Sequence, residues 1–324
     1  MLKHFIWKAC FSLFHGRKEE KAVYWFVMLT KFHWGWPWEK KRPLLVYALD
    51  SESYSCGFAD RLRGMVSAYV YAKHHNIPFQ ISHQSPFSLQ DYFVPNKYDW
   101  SPKPEMFSYN LFVSRPFLNI SEYSSKVLKI DKTKQIHYYS NMDIIGLLNW
   151  CYNKKYSFSK AFNELFRPSK QLLEAVQPHI NILGANYISI SFRFIDLLGD
   201  FIEGVRPVLS EDNQLLLIEN SKNTIDCLHK KYPQYKKILV TADSKRFLDS
   251  VKEMPYVYIV DGKIGHSGKS EISNESIMKT FVDFYLISKA SLVFIGVSNN
   301  MYKKSKFAYT AALIQDTPFN VINF

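Results

Sequence analysis

The chain has 324 residues, 47% of them apolar, and a formal net charge of +12. That length is large for one hydrophobic core and comfortable for two domains, and the apolar fraction excludes a disordered chain. No low-complexity tract or solenoid-length repeat runs through it, which excludes fibrous and repeat architectures.

Half of the charge sits at the start. Residues 1–42 hold nine Lys/Arg against three Glu, together with five of the seven tryptophans: Trp7, Trp25, Trp34, Trp36 and Trp38. Basic residues interleaved with Trp and Phe fit a helix lying in a membrane interface, rings at headgroup level and cations near anionic lipid. An amphipathic hairpin packed on the body of the protein fits the same pattern. Neither apolar run spans a bilayer: residues 2–14 are interrupted by Lys3, His4 and Lys8, and residues 22–30 are too short. No small-residue cleavage site follows the first run, so a signal peptide is not expected. The remaining positive charge is spread thinly and carries no nucleic-acid-binding motif, so nucleic acid is not an expected partner.

Residues 44–49 (LLVYAL) form a buried strand, and a helix follows through Ala72. Between them the loop and helix start read GFADRLRG, Gly57 to Gly64. A glycine there lets backbone N–H groups approach a phosphate, with the helix dipole adding partial positive charge. The motif is neither a Walker loop nor the dinucleotide fingerprint, and Asp60 is equally a helix cap. Residues 78–82 open a second strand. Residues 85–134 are rich in proline and aromatics (Phe87, Tyr92, Phe93, Trp100, Phe107, Tyr109), which suits either a sugar-stacking wall or a peripheral lid.

The stretch YISISFRFIDLLGDF, residues 187–201, alternates Ile188, Ile190 and Phe192 with Ser189, Ser191 and Arg193, the period of a strand. It sets Arg193 at the strand's carboxyl end, where open α/β sheets bind ligands. A guanidinium there suits a phosphate; an ion pair with Asp196 is the structural alternative. Helices are expected over 211–232, 244–254, 274–290 and 305–314, and strands over 238–241, 256–260, 292–297 and 319–322. Alternating elements with near-continuous apolar strands indicate a parallel sheet covered by helices on both faces. The cysteines (Cys10, Cys56, Cys151, Cys227) show no Cys-x-x-Cys pair, so no zinc site or disulfide framework is expected and a reducing compartment is.

GFADRLRG, SFRFIDLLGDF, VTADSKRF and DFYLISKASLVFIGVSNNMYKKSKFA occur in this order. Together they resemble the fucosyltransferase superfamily that includes nodulation fucosyltransferases and protein O-fucosyltransferases. The resemblance covers residues 44–324 and implies two facing Rossmann-like domains, the GT-B arrangement. The domains expected are an N-terminal basic aromatic segment (1–42), an acceptor-side domain (43–170) and a nucleotide-sugar domain (171–324).

The resemblance also implies metal-independent transfer of fucose from GDP-fucose, used as substrate with no separate cofactor. The family's His-x-Arg motif falls on Ser191, Phe192 and Arg193. This chain departs from it with Ser191 in place of histidine and Phe194 where a second arginine is common. Arg193 is implied to offset charge on the GDP leaving group. Thr241-Ala242-Asp243 matches an element whose carboxylate accepts from a guanine edge, although Asp243 also reads as a helix N-cap. Ser298 and Asn299 match a hydroxyl motif near a helix N-terminus; Gly57, Phe58 and Arg61 lie on the donor side of the other domain; His266, in the loop of residues 265–271, is a further donor candidate or a solvated histidine. Asp60, Asp196 and Asp200 are candidate general bases. No Asp-x-Asp occurs.

The expected activity is therefore inverting transfer of fucose to a cell-surface glycan or its lipid-linked precursor, in the cytoplasm or on the inner face of the cytoplasmic membrane. A polysaccharide pyruvyltransferase, a transferase using another nucleotide sugar, and a non-catalytic Rossmann-type binding protein remain alternatives.

Overall fold

Two parallel sheets organise the chain in a computed structural model that describes residues 2–13, 19–39, 42–120, 133–265, 272–303 and 305–324. Contacts divide it into two units, one taking in Met1–Arg167 and the other Pro168–Ser267 with Ile272–Phe324.

The first unit opens with helices α1 (Leu2–Leu13) and α2 (Glu19–Lys31), packed on each other. Then come β1 (Leu45–Tyr47), α3 (Phe58–His74), β2 (Phe79–Ile81), β3 (Phe93–Pro95), β4 (Ser114–Asn119), β5 (Gln135–Ser140), α4 (Ile145–Tyr152), α5 (Phe158–Leu165) and β6 (Phe166–Pro168). The sheet runs β2-β1-β5-β4, all parallel, while β3 pairs with β6. Helix α3 lies against β1, β2 and β5. Its Gly64 passes so close to β5 that a Cβ there would stand 2.0 Å from the Ser140 carbonyl oxygen. On the opposite side of β5, His137 is ringed by Phe32, Phe107 and Tyr109. The α1–α2 hairpin is packed on the body, since α2 contacts β4.

Four of the aromatics expected to form a wall or lid are core. Phe87, Tyr92, Phe93 and Trp100 are all buried. Phe93 meets Phe58, Phe162 and Phe166, and the Trp100 indole donates to the Leu165 carbonyl at 2.8 Å. These rings fill the space between α3, α5 and β6, which burial favours over presenting them to a ligand.

The second unit contains α6 (Lys170–Leu183), β7 (Ile188–Phe192), α7 (Glu211–Lys231), β8 (Ile238–Ala242), α8 (Lys245–Val251), β9 (Val257–Tyr258), α9 (Asn274–Lys289), β10 (Leu292–Val297), α10 (Phe307–Ile314) and β11 (Phe319–Asn323). Serine N-caps start α6, α8 and α9: Ser169, Ser244 and Ser273 each accept from an N–H one turn on. Strand order is β9-β8-β7-β10-β11, all parallel. This is the doubly wound order, with its switch point between β7 and β10. Ile188, Ile190 and Phe192 join Ile218, Ile225, Phe247 and Val251 from α7 and α8 in one core. Ser189 and Ser191 alternate to the other face and are buried too. The period-2 pattern of β7 therefore marks two covered faces rather than one wet face. Gly296 on β10 is required by packing: a Cβ would stand 2.3 Å from the Phe192 ring.

Candidate functional site

The switch point places Arg193 just beyond the end of β7. Its guanidinium is held by two carboxylates, Nη2 to Glu203 Oε1 at 2.7 Å and Nη1 to Asp243 Oδ2 at 3.1 Å, and it lies 5.1 Å over the Phe201 ring. Its partners are thus Glu203 and Asp243, and the ion pair with Asp196 is not formed. About a quarter of the side chain (23%) remains exposed, enough for an anion to reach it.

Asp243 turns inward. Its carboxylate accepts from Phe194 N and Ile195 N, both at 2.8 Å, besides pairing with Arg193. Burial pushes its carboxyl above the ordinary range, against the pull of Arg193 and those N–H donors. With this set of partners it is committed to the turn after β7 and does not present itself to a guanine edge. Nor does it cap α8, which Ser244 does through Phe247 N. The turn it ties down holds Ile195 at φ +53°, a left-handed conformation that costs a β-branched residue roughly 1–3 kcal/mol. Strain of this size persists only where surrounding bonds enforce it.

Asp196 organises the next loop. It is 1% exposed and accepts from four successive backbone N–H groups, Glu203, Gly204, Val205 and Arg206, at 2.5–2.8 Å. Burial would raise its carboxyl, but the four donors outweigh that and hold it at about 2. So weak a base, with its oxygens filled, is unsuited to deprotonate an acceptor. Asp200 accepts from Ser244 Oγ at 3.0 Å and Arg246 N at 2.8 Å, bracing the start of α8. Asp196 therefore does not fit the general-base role expected of it, whereas Asp200 is exposed to solvent and stays a candidate.

Glu203 and Arg206 are the residues that sequence reasoning missed. Arg206 reaches the Asn300 carbonyl, joining this loop to the one after β10. A signal existed in Gly199 and Gly204, both at positive φ (+79° and +73°). They shape the loop that wraps Asp196. Ser298, Asn299 and Asn300 follow β10 directly in a turn, but α10 starts only at Phe307, so they do not stand at a helix N-terminus. Ser191 Oγ is 2.7 Å from Thr241 Oγ1 across β7 and β8, occupied within the sheet. His266 lies outside the described residues.

In the first unit, Gly57 precedes α3, whose first turn has no side-chain cap. The chain's own atoms leave room at Gly57, where a Cβ would meet only Asp60 Oδ2 at 3.7 Å. The start of a 17-residue helix with glycine as its N-cap is an anion-favouring end. Two neighbours depart from their expected roles. Phe58 is 1% exposed, its ring stacked in the core on Phe93, so only its backbone is available to a ligand. Arg61 is fully buried, its Nη1 3.1 Å from His83 Nε2 and 3.5 Å from the Ser85 carbonyl. Burial, with Arg61 beside it, lowers His83 to about 3, so it is a neutral acceptor for the guanidinium. Asp60 pairs with Arg63. Within each unit, then, the expected residues gather at the carboxyl ends of the parallel strands: Arg193, Asp243 and Ser298 in one, Gly57 and Asp60 in the other.

No protein-family model matches the chain, and no curated protein sequence does. Solved structures do match. Fucosyltransferase NodZ from Bradyrhizobium aligns with a TM-score of 0.53 at 13% identity, covering 85% of this chain and 93% of that one. FUT1 of Arabidopsis thaliana, solved in complex with GDP, gives 0.55 at 11%, covering 98% of this chain and 78% of that one. NodZ α-1,6-fucosyltransferase soaked with GDP-fucose gives 0.51 at 13%, covering 85% and 93%. At these identities what is shared is architecture: the chain has the two-unit α/β fold of these GT-B fucosyltransferases.

Proposed function

We propose that the protein is a glycosyltransferase using a nucleoside diphosphate sugar, GDP-fucose first among them, and inverting the anomeric centre as it transfers the sugar to a glycan hydroxyl. The observation that carries this is Arg193, partly exposed at the switch point of a doubly wound sheet and oriented by Asp243. The fold shared with solved fucosyltransferases, two of them holding GDP or GDP-fucose, supports the choice of donor.

Displacement at the anomeric carbon builds negative charge on the departing diphosphate and positive charge on the sugar ring. Arg193 answers the first, since a fixed guanidinium in a partly desolvated site stabilises charge as it develops. Glu203 now holds the Nη2 edge of Arg193, and an arriving phosphate takes that edge in its place.

Ser191 favours a second reading, a transferase for another nucleotide sugar. Where the resembling family carries histidine, this chain has a hydroxyl bonded to Thr241. The test is release of GDP from GDP-fucose in EDTA, with and without a glycan acceptor, beside GDP-mannose and UDP-sugars. Release specific to GDP-fucose and lost in Arg193→Ala supports the first reading. Release from a different donor replaces fucose, and none from any donor refutes transferase activity.

A further inference from the structure

Beyond any catalytic role, the first unit carries a surface of unusual composition. The turn after α2 presents Trp34, Trp36 and Trp38 with 73%, 76% and 80% of their surface exposed. Exposed tryptophan normally signals a loose segment, and here it does not. Asn110, 1% exposed, accepts from Gly35 N at 3.0 Å and donates to the Trp36 carbonyl at 2.8 Å and to Glu39 Oε2 at 2.9 Å. His33 exchanges backbone hydrogen bonds with Tyr109 and Leu111, and the Trp34 ring meets Phe112 edge-on at 5.3 Å. Gly35 leaves Asn110 its place, since a Cβ there would approach Asn110 Nδ2 to 2.7 Å. A buried asparagine thus fixes a turn whose indoles face outward.

The preceding helices add to this surface. One stripe of α2 packs inward through Ala22, Val23, Phe26 and Val27, while Trp25 and Leu29, one turn apart, are 45% and 62% exposed. Likewise Leu2, Phe5 and Leu13 of α1 are each more than 70% exposed, although Trp7 packs inward on Phe26. Both helices therefore have an apolar stripe turned outward as well as one turned inward. Interleaved with the outward stripes are exposed Lys8 and Lys21, in a segment of net charge +6. No helix among the described residues is long and apolar enough to cross a membrane.

We infer that α1, α2 and the tryptophan turn form a docking surface for an anionic lipid bilayer, on which the protein lies peripherally. Charge complementarity selects this occupant. A protein interface of such apolarity is depleted in lysine, whereas an interfacial helix pairs Trp, Phe and Leu with Lys. Indoles settle at headgroup depth, and each cation near an anionic leaflet adds to the attraction.

The test is co-sedimentation of the full-length protein with phosphatidylcholine vesicles, with and without phosphatidylglycerol, while following tryptophan emission. The wild type is expected to pellet with the anionic vesicles, with blue-shifted emission, and to be released by salt. The triple variant Trp34→Ala, Trp36→Ala, Trp38→Ala should stay in solution with an unchanged thermal midpoint. A second variant, Lys8→Glu with Lys21→Glu, leaves the turn intact and should weaken vesicle binding roughly tenfold or more. Wild type remaining in the supernatant, or both variants binding as wild type, overturns the inference. So does tryptophan-dependent self-association without vesicle binding, which would assign the face to a second copy of the chain. None of these outcomes depends on donor chemistry.

Discussion

The Glu203 carboxylate stands 2.7 Å from the Arg193 guanidinium, on the edge that Asp243 leaves open. An internal carboxylate thus occupies the position where the proposed reaction needs a phosphate oxygen. Glu203→Gln should bind GDP more tightly than wild type. For a partly exposed pair the gain is on the order of 1 kcal/mol, about fivefold in Kd. Titration calorimetry of the two proteins checks it, and an unchanged or weaker affinity would show that Glu203 does not compete.

Asp243 holds both the Arg193 guanidinium and the strained Ile195 turn. Asp243→Asn loses the ion pair and leaves buried N–H groups poorly matched. Denaturant unfolding should show a loss of roughly 1–3 kcal/mol, accompanied by weaker GDP binding because Arg193 is no longer oriented. A variant with full stability and wild-type GDP affinity would refute the positioning role.

Acid should weaken the first unit through two buried histidines. Burial lowers His83 to about 3 and His137 to about 4, from an ordinary 6.5. Protons therefore bind the unfolded chain first. The stability tied to these neutral rings is complete above pH 6.5 and is lost progressively as pH falls toward those values. Asp196, held at about 2, keeps its loop until pH drops below the ordinary carboxyl value of 3.8 and loses it on the way to 2. Unfolding followed between pH 7 and 4 should thus weaken the first unit, and His83→Gln should flatten the dependence. A slope unaffected by that substitution would place the acid sensitivity elsewhere.

Gly64→Ala should be among the most damaging small substitutions. The added Cβ meets a backbone carbonyl of β5 that cannot rotate away, so a cost of about 1–3 kcal/mol or more is expected in thermal or denaturant unfolding. A change under a few tenths of a kcal/mol would mean that α3 shifts freely on its sheet.

The second unit was largely legible because its strands are short, apolar and punctuated. The apolar run 292–297 is β10 to the residue, and the helix expected over 211–232 is α7 less its last residue. The first unit was harder. Its β5, QIHYYS, is buried at every position yet half polar, because His137 Nε2 and Gln135 Nε2 reach the Ser108 and Met106 carbonyls. Hydropathy cannot anticipate such pairings. Helices α4, α5 and α6 escaped notice too; α6 even carries Pro178 within it. At the site, the position of Arg193 followed from strand periodicity and sheet rules. The identity of its partners did not, since Glu203 reaches it only through a loop shaped by Asp196.

The most direct test is titration calorimetry of wild type and Arg193→Ala with GDP, in EDTA, against UDP, CDP and ADP. The account predicts selective GDP binding by the wild type, weakened in Arg193→Ala by roughly 2–3 kcal/mol, the scale of charged hydrogen bonds. Binding that survives the substitution unchanged, or no nucleotide binding at all, would contradict it.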